Sequence, residues 1–274
     1  GLSSSEFAAI AETATELGIP FAGHVPVAVG LDGALAAGMA TIDHLDGYLV
    51  ALLPADTDPS GGYGGFFDVL LADQLIEERV AAIAASTAAS GTWNVPTEAL
   101  FEHRVADVSV TELRNRPEMQ YMPAATVERW AQTKERQERE RGFSADVAAR
   151  AIEIRRKLIL ELHRAGAGLL LGSDAPQVFN VPGYSLHNEL EFLVEAGLTP
   201  YEALHTGTVA VAEFLGTNTG IIAAGRDADL VLVDDNPLAD IRNTQRIHGV
   251  MLRGAWFPNA ALEQRLAPYR QQDN

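Results

Sequence analysis

The sequence contains no cysteine and has little positive charge. Without cysteine, disulfide scaffolds and thiolate metal sites are excluded, so any metal would have to be bound by histidines and carboxylates. The 20 Lys and Arg residues stand against 37 Asp and Glu, and the net charge of −17 argues against a nucleic-acid partner. No apolar run approaches the roughly 20 residues that span a bilayer, and no signal-peptide pattern opens the chain. We therefore expect a soluble chain without a membrane partner; its compartment stays open because the sequence does not begin with Met.

The 274 residues are 47% apolar, which is enough for a substantial core. Segments of helical periodicity alternate with short β-rich segments. The predicted helices are 3–18, 31–38, 75–91, 145–166, 185–197 and 199–216, and the predicted strands are 19–23, 40–43, 92–95 and 168–172. Such alternation is typical of a parallel sheet wrapped by helices, and four strands are half of an eight-stranded barrel. We expect the four strands to be parallel neighbours.

The pattern changes after Gly216. The stretch 220–237 and the segment "IHGVMLRGAWF" combine short apolar runs with Asp, Asn, Gly and Pro turns. They predict an antiparallel sheet in a separate small domain, which divides the chain into 1–216 and 217–274. Two further stretches are less regular: 46–67 predicts a long functional loop, and the charge run 128–142 predicts a solvated helix.

Three of the predicted strands end in a residue that can bind metal. His24 follows the first strand in "AGHVP", His44 follows the second in "TIDHLD", and Asp174 follows the fourth in "LGSDAP". The C-terminal ends of parallel barrel strands form one mouth, where active sites of such barrels lie. Two imidazoles and one carboxylate suit Zn²⁺ or a similar divalent ion. Taken singly, each residue has a structural explanation: a histidine bonded at the rim, or an aspartate that caps a turn.

The remaining histidines receive other interpretations. His187 opens a helix just after the Asp174 loop, so a role in orienting a ligand or contacting substrate is open beside a structural one. The other four receive a structural or packing interpretation: His103, His163, His205 and His248.

Taken together, these motifs resemble the amidohydrolase superfamily, in particular the metal-dependent branch with imidazolonepropionase-like proteins and Xaa-Pro dipeptidases. The resemblance rests on "GHVP", "DHLDG", "LGSDAP", "PGYSLHNELEFLVEAGLTPYEAL" and the tail "GIIAAGRDADLVLVDDNPLADI", and it covers nearly the whole chain. It implies an α/β fold: the second half (strands five to eight) of a TIM-type (β/α)₈ barrel, with the C-terminal part of a small β-sandwich.

The resemblance also implies roles for the three strand-end residues. His24 and His44 match the two histidines after strands five and six, which hold the second metal. Asp174 matches the acid after strand eight, which binds the first metal and shuttles a proton. The complete site would hold two divalent ions, above all Zn²⁺, and a metal-bound hydroxide would attack an amide-type bond of a small peptide or N-acyl amino acid. Lactones, carbamates, organophosphates and imidazolones remain open as substrates.

The sequence also departs from the family pattern. The His-x-His pair after strand one and the lysine after strand four are absent, and the lysine would lie just upstream of Gly1. We therefore expect a separate N-terminal half-barrel polypeptide as partner, or a chain that is a fragment; a homo-oligomer also remains open. The alternative to a hydrolase is a non-catalytic half-barrel that packs against a partner polypeptide.

Overall fold

A computed structural model describes residues 1–57 and 64–270 of the chain. It is a mixed α/β structure with a helical majority. The helices are α1 (Ser4–Leu17), α2 (Gly30–Ala36), α3 (Tyr48–Ala51), α4 (Val80–Ser90), α5 (Glu98–Val105), α6 (Val110–Arg114), α7 (Ala124–Glu138), α8 (Ala145–Arg164), α9 (Tyr184–Glu195), α10 (Pro200–Thr206), α11 (Val209–Leu215) and α12 (Asn259–Leu266). The strands are β1 (Thr41–Asp43), β2 (Trp93–Val95), β3 (Leu230–Val233), β4 (Ile247–Leu252) and β5 (Ala255–Pro258). In the described part of the chain, no helix is long and apolar enough to cross a membrane.

The predicted parallel arrangement of four strand segments is confirmed. β1 pairs with β2 in parallel, with Ile42 opposite Asn94. A parallel bridge joins Gly23 to Ile42 on one side, and another joins Asn94 to Leu169 on the other. The four segments therefore lie side by side in chain order, although the first and last contribute single bridges rather than the longer strands that we expected. Their C-terminal ends point the same way.

Helix α8 anchors this sheet to the core. It begins at the cap residue Ser144, whose side chain accepts a hydrogen bond from the Val147 amide. The largest core cluster combines three buried α8 residues, Ile154, Leu158 and Leu162, with apolar residues of the sheet and of α9. Burying each such side chain contributes about 1.5–3 kcal/mol, so this face of α8 holds the sheet in place.

Two sequence predictions require correction. The single helix predicted over 199–216 is wrong, because the chain breaks between α10 and α11. At the break, the Thr206 carbonyl accepts a hydrogen bond from the Leu171 amide, and a side chain on Gly207 would lie 2.6 Å from Leu171 Cδ2. The Thr206 carbonyl therefore accepts a hydrogen bond from the fourth parallel segment, whereas in a continuous helix it would accept one from within the helix.

The prediction that the charge run 128–142 forms a purely solvated helix is also wrong. Helix α7 buries Trp130, Ala131 and Lys134. The ammonium of Lys134 donates to the Ala106 carbonyl at 2.7 Å and to the Arg104 carbonyl at 3.3 Å, both at the C-terminal end of α5. A charged side chain is buried there because the carbonyls at a helix end supply acceptors for it.

Part of the predicted loop 46–67 is helical, since α3 lies within it; residues 58–63 of that stretch lie outside the described residues. The tail forms the expected antiparallel sheet, in the order β3-β4-β5. The eight-stranded barrel, the β-sandwich and the domain boundary at 216 and 217 remain predictions.

Candidate functional site

His44 lies at the carboxyl end of β1, where the chain turns sharply. Its φ of 61° is left-handed, a conformation that residues other than glycine seldom adopt. The imidazole is buried, and its Nδ1 lies 2.8 Å from the Thr97 hydroxyl at the end of β2. Burial lowers the pKa of His44, because desolvation disfavours the imidazolium. Burial thus favours the neutral ring, which is the form that binds metal.

His24 follows the edge segment that bridges to β1. Its Nδ1 lies 2.6 Å from Asp46 Oδ2, and its side chain is 69% exposed whereas that of Asp46 is 13% exposed. The Asp46 carboxylate thus fixes the orientation of an imidazole that otherwise faces solvent. The ring centroids of His24 and His44 are 4.8 Å apart.

Asp174 follows the fourth parallel segment and also has a left-handed φ, of 52°. Its Oδ2 lies 4.0 Å from His44 Nε2, which is longer than a hydrogen bond. The preceding residue is tied down by a buried amide, since Asn180 Nδ2 donates to the Ser173 carbonyl at 2.7 Å. Asn180 Oδ1 in turn lies 2.9 Å from His103 Nδ1.

The three residues predicted at the strand ends therefore come together at one mouth. The Nδ1 atoms of both histidines are engaged with side-chain oxygens, which leaves each Nε2 for another partner. Metal-binding histidines usually have their second nitrogen oriented in this way, so the donor chemistry fits a divalent ion. Within residues 1–57 and 64–270, however, no three His, Asp or Glu side chains are grouped as a complete metal site. The metal role of His24, His44 and Asp174 therefore remains a prediction.

A kinked 3₁₀-helical segment, Phe66–Gln74, lies against His44 at this mouth. The Phe67 ring stacks on His44 with a centroid distance of 5.0 Å, and both Phe67 and Asp68 have left-handed φ values. Burial raises the pKa of Asp68, and the negative charge of Asp46 raises it further. Left-handed backbone costs about 1–3 kcal/mol per residue and is often found at functional sites.

The other histidines have partners outside the three residues predicted at the mouth. His187 on α9 has its Nδ1 2.9 Å from the Thr244 hydroxyl in the tail, and burial lowers its pKa. Its role in orienting a ligand or contacting substrate remains a prediction. His103 is buried, and desolvation lowers its pKa to about 3; His163 and His248 lie beside Glu202 and Asp234.

Several residues at this site were not identified from the sequence. Asp46 and Thr97 lie three and two residues after the predicted strands 40–43 and 92–95, respectively. Arg155 had a signal in its helical spacing, because it lies in register with the apolar residues Ala151, Leu158 and Leu162. A charge on the apolar face of a helix indicates a buried partner.

Comparison with known proteins identifies the family of this chain. The model of the Amidohydrolase family matches residues 1–257. Ochratoxinase of Aspergillus niger is 35% identical over 83 residues, which are 29% of this chain and 16% of the relative.

Among solved structures, a bottromycin amidohydrolase matches with a TM-score of 0.68 at 27% identity, over 98% of this chain and 57% of that one. An Xaa-Pro dipeptidase with bound methionine matches with a TM-score of 0.53 at 19% identity, over 92% of this chain and 48% of that one, a likeness of fold alone. The chain thus spans about half the length of these solved relatives. With nearly the whole chain matched by the family model, this protein belongs to the amidohydrolase family.

Proposed function

We propose that the chain is part of a metal-dependent hydrolase of amide-type bonds. The observation that supports this most directly is the meeting of His24, His44 and Asp174 at one mouth, with both Nδ1 atoms engaged. Family membership supports hydrolysis as the reaction class. The preferred substrates are small peptides and N-acyl amino acids.

Each residue has a distinct role in this proposal. His24 and His44 would hold a divalent ion, and Asp46 and Thr97 orient their rings through Nδ1. A divalent ion, above all Zn²⁺ and as a pair in the complete site, would polarise the substrate carbonyl and activate a water. Asp174 accepts the proton of that water and passes it to the leaving amine. Its 43% exposed side chain leaves room for substrate beside it.

The substrate class is supported by what similar proteins are called. Among them are an Xaa-Pro dipeptidase and a bottromycin amidohydrolase, whose names describe enzymes that act on amide-type bonds. Because this chain spans only about half of each, we propose that an N-terminal half-barrel polypeptide supplies the remaining ligands. Such a partner is supported by apolar residues that are exposed on the sheet of β3, β4 and β5 and in the segment before β3: Ile222, Val231, Leu232 and Leu252.

The test compares Asp174→Asn with Asp73→Asn, which changes an exposed aspartate that has no part in the proposed site. Turnover of dipeptides and N-acyl amino acids is measured over a Zn²⁺ titration in the assembled protein, which is this chain together with its N-terminal half-barrel partner. We expect the Asp174 variant to stay inactive at saturating metal, because an amide side chain cannot accept the proton. Recovery to the wild-type rate at high Zn²⁺ would leave Asp174 as a ligand only.

The alternative function is a non-catalytic half-barrel that packs against a partner. It is favoured by the absence of a complete three-residue ligand group in the described part of the chain. Metal analysis of the purified chain with its co-purifying partner separates the two functions. Substoichiometric metal, together with a melting temperature that chelation leaves unchanged, would favour the alternative.

A further inference from the structure

A buried arginine lies directly behind the mouth. Arg155, in the middle of α8, is 1% exposed, and its partner Glu98 at the start of α5 is fully buried. Arg155 Nε donates to Glu98 Oε1 at 2.8 Å, and its guanidinium carbon lies 4.3 Å from the centre of the Phe101 ring. Burying a charge is costly unless its donors are satisfied, so this pair requires a structural explanation.

The other donors of Arg155 bind the ends of two strands. Nη1 donates to the His44 carbonyl at 2.9 Å, and Nη2 donates to the Pro96 carbonyl at 3.1 Å. One planar guanidinium thus joins the residue after β1 to the residue after β2. Because a guanidinium holds its donors in a fixed fork, it sets the distance between these two carbonyls. That distance places the Thr97 hydroxyl against the His44 ring.

The adjoining helix start is capped from a different element. Thr97 precedes α5 in a left-handed conformation, and its side chain makes no capping bond to the helix, since its hydroxyl faces His44. The capping acceptor comes from α9, where the buried Glu189 Oε2 accepts a hydrogen bond from the Ala99 amide at 2.7 Å. Glu189 therefore frees the Thr97 hydroxyl for the imidazole.

We infer that Arg155, together with Glu98 and Glu189, positions His44 by fixing the ends of β1 and β2 from behind the mouth. These are positioning residues: their contacts reach His44 through its backbone and through Thr97. The inference rests on the proposed function only in taking His44 as a ligand.

The experiment replaces Arg155 by Lys, which keeps the charge but not the planar fork of donors. Arg150→Lys is the matched control, because Arg150 lies on the same helix and pairs with Glu77 and Glu153 nearer the surface. The first readout is the ¹⁵N resonance pattern of the His44 ring in the metal-free full chain, assigned by its loss in His44→Gln. The second readout is the Zn²⁺ affinity of the chain assembled with its partner, measured by chelator competition.

We expect Arg155→Lys to keep its far-ultraviolet circular dichroism while the His44 ring resonances shift or broaden. We also expect its Zn²⁺ affinity to fall by about tenfold or more, as is typical when the support of a ligand is removed. The control should change neither. A folded Arg155→Lys chain with unchanged His44 resonances would overturn the inference.

If Arg155→Lys does not fold, Glu98→Gln is judged by the same two readouts. Unfolding of both variants would also overturn the inference, because the network would then stabilise the fold in general. A wild-type assembly that binds no Zn²⁺ would refute the proposed function, while the metal-free resonances would still decide the positioning role.

Discussion

The buried carboxyl group of Glu189 makes the stability of this protein depend on pH in an unusual direction. Burial raises the pKa of Glu189 to about 8, and the negative charge of Glu98 raises it as well. The protonated carboxyl group of Glu189 contributes fully to stability below its unfolded-state pKa of 4.5. This contribution is lost as the pH rises from there through about 8. A neutral Gln at this position should remove that loss. We therefore expect Glu189→Gln to be more stable than the wild type at alkaline pH.

The magnitude follows from the two pKa values. Each pH unit between 4.5 and about 8 costs the wild type about 1.4 kcal/mol, so the complete penalty is on the order of 5 kcal/mol. Gln can keep the bond from the Ala99 amide through its carbonyl oxygen. Its amide nitrogen would occupy the place of Glu189 Oε1, which has no hydrogen-bond partner among the described residues. We expect the two proteins to be about equally stable at pH 5.

The assay is urea unfolding followed by tryptophan fluorescence at pH 5, 6, 7, 8 and 9. Other groups contribute slopes of their own: the lowered pKa of His103 makes stability fall as the pH drops below its usual value. Such slopes are common to both proteins and cancel in the difference. Glu213→Gln, on the exposed side of α11, is the control and should give a difference near zero throughout. A Glu189→Gln difference that is flat from pH 5 to 9 would refute the reasoning.

Three further predictions concern packing and the mouth. Gly168→Ala should cost about 1–3 kcal/mol and shift the Trp93 emission, because a Cβ there would lie 2.3 Å from the indole; unchanged fluorescence and stability would contradict this. Leu158→Ala should cost about 2–5 kcal/mol in urea unfolding, since the side chain is fully buried in the main core; a cost under about 1 kcal/mol would be inconsistent with that packing. Asp46→Asn should weaken Zn²⁺ binding by the assembled protein about 10–100-fold, because the carboxylate orients His24; unchanged affinity in chelator competition would rule out that role.

The amino-acid sequence was sufficient to predict those features that depend on neighbouring residues. The first helix is an example, because Ser3 and Glu6 form the expected capping box and Gly18 ends the helix in a left-handed conformation. The order of the four parallel segments was also predictable, since strand–helix alternation favours right-handed crossovers between neighbours. The placement of His24, His44 and Asp174 at one mouth followed from the common direction of those strands.

Tertiary structure alone decided which polar residues surround that mouth. Arg155 is 111 residues from His44 in sequence, and Glu189 is 90 residues from Ala99, yet each forms a buried hydrogen bond there. Local sequence patterns cannot predict these hydrogen bonds, because the bonds depend on how α8 and α9 pack against the sheet. The break between α10 and α11 has the same origin: the Thr206 carbonyl bonds to a strand edge that only the folded chain brings near. Sequence determined the elements and their direction, whereas packing determined the contacts that orient the candidate ligands.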